Sequence, residues 1–215
     1  MPFSDYKTLS QVQTQYGIRY LESLFIKRSS ANVSERFLEE MDFTSKNLDA
    51  FSSEAARCEL IILPVLREAY KSFHSKFSLW IQRSISYDET LNGTPDYLVS
   101  KRSNLGKTVL EYPLVIIAEA KKNDFEQGWA QCLAELVAAQ KINENAEPSA
   151  TGPRVYGIVT DGKYWEFGFL AKDRFTKNIE GFSIDNLPEL FGGLDYVFSL
   201  AGSEISDSSM PIVDR

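Results

Sequence analysis

The sequence predicts an α/β (α+β) fold: a mixed central β-sheet of about five strands, flanked by helices, in one domain. Three observations carry that reading. The order of elements is helices, three strands, a helix, two strands and a helix. The stretch "YPLVIIAEA" (112–120) is a nearly continuous apolar run, as expected of a central strand covered on both faces. With 215 residues, 43% of them hydrophobic, the chain can bury one sizeable core.

In "SQVQTQYGIRYLESLFIKR" (10–28), Val12, Ile18, Leu21, Leu24 and Phe25 recur at roughly helical intervals and predict a first helix. A second is expected over 33–42, with Val33, Phe37, Leu38 and Met41 on one side. A third, over 53–73, starts at Ser52 or Ser53 as N-cap. Pro64 lies inside it, removes a backbone donor, and should kink or divide it. From residue 77 the period becomes two. Phe77, Leu79 and Ile81 alternate with Trp80, Gln82 and Ser84, the pattern of a half-buried strand. Residues 96–100 and 112–120 supply its neighbours. Asp124, with Gln127 three residues on, resembles a capping box and opens a helix of about five turns. "NAEPSATGP" (145–153) is a loop, and 154–170 form a hairpin turning at Asp161 and Gly162. A last helix is expected over 185–200, followed by a flexible tail, 201–215.

The net charge of −7 and the pI near 4.9 exclude a protein that coats nucleic acid through a general basic surface. A local patch remains open: Lys101, Arg102, Lys107, Lys121 and Lys122 form either a phosphate-facing rim or an ordinary basic loop. Cys58 and Cys132 are the only cysteines, each among apolar residues, too few for a disulfide framework or a zinc site. They suit core thiols in a reducing cytoplasm. The first ten residues lack a leader pattern, and no apolar run approaches the length of a membrane span, so neither secretion nor a membrane partner is expected. His74 is the only histidine, with no nucleophile site near it, and there is no glycine-rich phosphate loop.

Charges at the end of the apolar run raise the functional question. On a strand, residues two apart share a face, so Glu119 and Lys121 point one way and Ala118 and Ala120 the other. Asp96 opens the strand that pairs with theirs, and a hairpin through 101–111 would bring its carboxylate close to that of Glu119. Two adjacent carboxylates repel, which raises one pKa. A divalent cation removes the conflict, and Mg²⁺ prefers such hard oxygen donors together with water and phosphate. Lys121 beside the pair would hold a phosphate or help generate an attacking hydroxide. Spacing alone leaves the plainer alternative open: Asp96 as a turn residue after Pro95, and Glu119 with Lys121 as a rim ion pair.

"TPD…VIIAEAK", with Asp96, Glu119 and Lys121 in its key places, resembles the PD-(D/E)XK signature of the restriction-endonuclease-like nuclease superfamily. The order of elements over 50–170 is similar too: a helix with an acidic residue, the Asp strand, the E-x-K strand, then a helix and further strands. The resemblance implies a nuclease core at 50–170 within a domain of 1–200, with 1–50 as a helical N-terminal extension. It implies metal-dependent hydrolysis of DNA phosphodiesters, with Mg²⁺ or Mn²⁺ held by Asp96, Glu119 and the backbone carbonyl of Ala120, and Lys121 orienting or activating water. Many members add an acid from the first core helix, where Glu54 and Glu59 both qualify. "SEAARCELIILPVL" is similar to the start of the nuclease domain in type I restriction motor subunits, whose acidic residue matches Glu54. As a plain residue, Glu54 is a first-turn carboxylate favoured by the helix dipole. Some members also carry a Gln on the helix after E-x-K, and Gln131 fits. On the wheel, Phe125, Trp129, Cys132, Leu133 and Leu136 form the buried stripe, while Gln127, Gln131 and Glu135 lie on another face. That face looks either toward the strand ends or into solvent. A homodimer or a separate DNA-binding partner would supply the missing basic surface. The alternative is a catalytically inactive nuclease-fold protein that binds nucleic acid or a partner protein.

Overall fold

Gly17 decides where the first helix stops. In the computed structural model, which describes residues 2–121, 124–146 and 154–207, helix α1 spans only Leu9–Tyr16. Gly17 at φ 67° closes it in the left-handed region that glycine enters without strain, and Ile18 N–H bonds back to the Gln13 carbonyl at 3.0 Å. The helix expected over 10–28 is thereby corrected. The chain leaves as strand β1 (Arg19–Ser23), a sheet edge. Helix α2 (Glu35–Asn47) follows, capped by Ser34 Oγ, which accepts from Phe37 N–H at 3.3 Å.

The third helix starts as expected at Ser53, whose Oγ accepts from Ala56 N–H at 3.0 Å. It runs as α3 (Glu54–Arg57), widens into a π turn over Cys58–Ile62, and continues as α4 (Leu63–Lys71). The widening lies immediately before Pro64, where the proline can neither donate a hydrogen bond nor tolerate a carbonyl packed one ordinary turn behind it.

Strands β2 (Phe77–Ile81), β5 (Tyr97–Lys101), β6 (Leu114–Ala120), β7 (Val155–Thr160) and β8 (Tyr164–Ala171) fall close to the expected strands. Between β2 and β5 lies a two-stranded ribbon, β3 (Ile85–Ser86) with β4 (Asn92–Gly93). The sheet is larger than the five or so strands expected. It has eight, in the order β1-β9-β8-β7-β6-β5-β2, with β9 (Arg174–Asn178) joining β1 to β8 and β10 (Phe182–Ser183) also pairing with β8. β6 runs parallel to β7, and β1 to β9; the other pairs are antiparallel.

Helix α5 (Phe125–Ala146) makes the crossover from β6 to β7, its start capped by Asp124 Oδ1 accepting from Gln127 N–H at 2.9 Å. At its far end Asn143 grips the start of β6, accepting from Leu114 N–H and donating to the Leu114 carbonyl, both at 2.7 Å. Helix α6 (Leu187–Asp207) reaches seven residues beyond the expected helix end, and the tail from 208 onward lies outside the described residues.

Apolar residues collect on both sides of the sheet. One cluster joins α2, α4 and α6 to Tyr97, Ile116, Ala118 and Ala120; the other joins α1 and α5 to Leu98, Ile117 and Val159. Residues 1–50 are therefore woven into the fold through β1, Val12 and Phe37, and are not a purely helical extension. Central β6 is buried at every position from Leu114 to Ala120, so any charge on it needs a reason.

Candidate active site

Strand register brings the first two acids together. Tyr97 pairs with Ala118 across antiparallel β5 and β6, so one further step sets Asp96 opposite Glu119. Leu98 and Ile117, each two residues away, face α5, which puts Asp96 and Glu119 on the α5 side as well. Asp96 Oδ2 accepts from the Ala120 N–H at 2.9 Å, while its own carbonyl accepts from Gln82 N–H at 2.9 Å. Because a strand residue's N–H and C=O leave on the same side, the Ala120 carbonyl also projects toward Asp96. Asp96 is thus a structural clasp on β6 and an acid with one oxygen to spare.

Glu119 is 1% exposed. Its Oε1 meets Lys121 Nζ at 2.8 Å, and its Oε2 has no hydrogen-bond partner among the described residues. Lys121 follows the strand end, where its N–H bonds the Thr160 carbonyl at 2.9 Å and extends the β6–β7 ladder by one residue. Glycine at 128 makes room for it. A Cβ there would lie 2.6 Å from Val159 Cγ1 and 3.1 Å from Lys121 Cγ, so α5 rests directly on the lysine stem.

Burial, then the Asp96 charge, pushes the Glu119 carboxyl up to about 8, with Lys121 and, less, the Asp96 backbone N–H pulling the other way. Burial also holds the Asp96 carboxyl above its usual range, opposed by the Ala120 N–H and Lys121 and reinforced by Glu54. For Lys121 burial acts against the ammonium, but Glu119, then Glu54 and Asp96, outweigh it and keep the group above the ordinary lysine range. The two directions in the Glu119–Lys121 contact compete: the pair needs an ionised Glu119, the group whose ionisation its surroundings resist. The 2.8 Å contact becomes an ion pair once Glu119 loses its proton, and the ionised group is then a carboxylate under electrostatic strain, short of positive charge.

The helix acids separate. Glu54 and Glu59 are both exposed. Glu54 lies in the first turn of α3, and its charge acts on Asp96 and Lys121. Glu59, in the π turn, acts on Cys58 and Tyr97. The neighbourhood therefore favours Glu54. Tyr97, adjacent to Asp96, ties this helix to the sheet by donating to the Cys58 carbonyl at 3.2 Å.

Helix α5 differs most from expectation. Every residue from Gly128 to Ala139 is buried, so the Gln131–Glu135 face is not a solvent face. Gln131 Nε2 donates to Glu135 Oε1 at 3.3 Å. Glu135 is fully buried, and burial, followed by the Glu119 charge, raises its carboxyl well above its ordinary range. Glu135 is a buried acid of this helix that sequence reasoning did not single out. The signal was present: in a helix apolar or small on nearly every side, two polar residues four apart mark where it meets something polar.

The basic segment does not gather here. Lys101 pairs with Phe77 at the other end of β5, some 17 Å from Asp96 by strand rise, and Arg102 donates to the His74 carbonyl at 2.8 Å. Lys107 lies in the loop beyond, and Lys122 falls outside the described residues. Among the described residues the cations at the Asp96 end include Lys121, Lys163 in the β7–β8 turn, Arg57 of α3 packed against that turn at Gly162, and Arg83, which lies over the Trp80 ring. His74 is exposed at a helix end, away from the site.

A cation site needs hard oxygen donors with uncompensated negative charge. Glu119 Oε2 and the second Asp96 oxygen supply the charge, and the Ala120 carbonyl would add a neutral hard donor. Among the described residues, no three acidic, histidine or cysteine side chains group closely enough to hold a metal by themselves, so backbone and water oxygens would complete the shell. No helix among the described residues is long and apolar enough to cross a membrane. No protein-family model matches the chain and no curated protein matches it significantly, so the site stands on its own geometry.

Proposed function

We propose that the protein hydrolyses nucleic-acid phosphodiester bonds, in DNA, with the help of Mg²⁺ or Mn²⁺. The observation that carries the reading is the buried Glu119 Oε2 without a partner, opposite an Asp96 carboxylate already fixed to the next residue of the same strand. Asp96, Glu119 and the Ala120 carbonyl would hold the cation, with Glu54 at the mouth. When bound, such a cation polarises a phosphoryl oxygen and lowers the pKa of its water. Lys121 keeps its proton, since the acids around it raise its pKa. It therefore serves as a charge and a hydrogen-bond donor to phosphate or water, not as a base. Asp96 and Ala120 fix the position of the donors before substrate arrives. The net charge of −7 leaves the grip on DNA to a homodimer or a separate DNA-binding partner. Both cysteines are free, which suits a reducing cytoplasm.

A second reading, a catalytically inactive nuclease-fold protein that binds nucleic acid or a partner, draws on one observation. Lys121 closes on Glu119 at 2.8 Å, as it would if the lysine had replaced a cation. Calorimetric titration of Mn²⁺ near pH 7.5, with plasmid cleavage alongside, separates the two. Binding and cleavage that both vanish in Glu119→Ala, with an unchanged circular dichroism spectrum, support the hydrolase. Wild-type protein that takes up no Mn²⁺ sinks it, and cleavage that survives Glu119→Ala places the activity elsewhere.

A further inference from the structure

Glu135 is hard to justify as a packing residue. It sits in the middle of α5, fully buried, between the sheet and α1. Its Oε1 receives one neutral, long hydrogen bond from Gln131, and its Oε2 has no partner among the described residues. No cation pairs with it in that set. A buried carboxylate in this condition weakens the fold relative to an apolar side chain of similar volume. Folding alone would favour Met or Leu there, so its presence asks for another role.

Its surroundings suggest one. Of the charges acting on Glu135, that of Glu119 is the largest, followed by those of Asp96 and Lys121. Gly128, Gln131 and Glu135 are spaced three and four residues apart and share one stripe of α5, which at Gly128 rests on the Lys121 stem. Two buried carboxyl oxygens without donors, Glu119 Oε2 and Glu135 Oε2, therefore lie along the same α5–β6 contact. One comes from the sheet and the other from the helix lying on it. We propose that Glu135, oriented by Gln131, forms the inner wall of the cation site and accepts hydrogen bonds from water carried by a cation that Asp96 and Glu119 hold. The inference rests on the proposed function. It makes Glu135 a positioning residue and not a direct ligand, in keeping with the lack of a three-side-chain ligand group among the described residues. Carboxylates in that outer position orient the inner ligands and strengthen cation binding.

The test is Mn²⁺ calorimetry and thermal unfolding on the full chain, comparing wild type with Glu135→Gln and Glu135→Met. Both variants are expected to raise the melting temperature of the metal-free protein, by about 2 °C or more for Glu135→Met. Mn²⁺ affinity should fall by about 10–100-fold in Glu135→Met and by less in Glu135→Gln, whose amide oxygen still accepts. Unchanged affinity in both variants overturns the assignment. A fall in both affinity and melting temperature would make Glu135 a packing residue and overturns it equally. Wild-type protein that binds no Mn²⁺ removes this inference together with the proposed function, whereas wild-type binding with unaffected variants removes this inference alone.

Discussion

Raising the pH from about 5 to 8.5 is expected to weaken the metal-free fold, the reverse of ordinary acid sensitivity. Asp96, Glu119 and Glu135 all sit above their usual carboxyl range, with burial the largest cause in each. Their charges compound the effect: Asp96 acts on Glu119, and both act on Glu135. A carboxyl raised in the folded state stabilises that state fully below its unfolded pKa, and the contribution is lost as pH climbs through the folded value. For Glu119 that window runs from the ordinary 4.5 to about 8. Each pH unit of such a difference ties about 1.4 kcal/mol to the proton, a large amount beside the roughly 5–15 kcal/mol that holds an ordinary domain together. Lys121 does not offset the loss, because its raised pKa keeps it charged throughout the window. Asp88 and Glu68 are held below their usual range, so their contributions change only under more acid conditions. Urea denaturation across this pH range, with and without Mn²⁺, reads the effect directly. The midpoint should fall toward pH 8.5 in chelator and recover when Mn²⁺ is added. A midpoint that is flat or rises with pH would mean the three carboxylates are comfortably ionised, and the electrostatic case for a cation at this site would collapse.

Two further changes separate packing from chemistry. Asn143→Ala strands both backbone groups of Leu114, each bonded at 2.7 Å, and should cost about 2–5 kcal/mol in urea denaturation. Mn²⁺ affinity of the folded fraction should not change, because the clamp lies at the opposite end of β6; a loss below about 0.5 kcal/mol would show that the clamp carries little. Gly128→Ala gains about 1 kcal/mol of helix propensity but places a methyl 2.6 Å from Val159 Cγ1, where overpacking costs about 1–3 kcal/mol. A net destabilisation that Val159→Ala relieves is expected, and additive effects in the double mutant would refute the contact.

The placement of the charges on β6 was legible because period two is a local rule. It places Glu119 and Lys121 on one face without any knowledge of the neighbours, and the pairing of Tyr97 with Ala118 then carries Asp96 to the same place. What stayed hidden depended on partners. The apolar spacing across 10–28 runs straight through Gly17, and nothing in that spacing shows that one left-handed residue ends the helix and turns Arg19–Ser23 into a strand for a partner more than 150 residues away. β9 and β10 were missed because their sequences, "RFTKN" and "FS", are short and partly charged, and gain strand character from β8. The wheel for α5 failed in a more instructive way. It sorts a helix into one wet and one dry side, but α5 lies between the sheet and α1 and has no wet side along its middle. On such a helix a polar residue no longer marks solvent. It marks the place where the interior itself is polar, and here Gln131 and Glu135 are bonded to each other inside the helix–sheet contact, where the proposal sets the inner wall of the cation site. On the proposed cation site, the same charge that makes Glu119 conspicuous at the end of an apolar strand would also account for a glutamate that otherwise only weakens the helix packed against it.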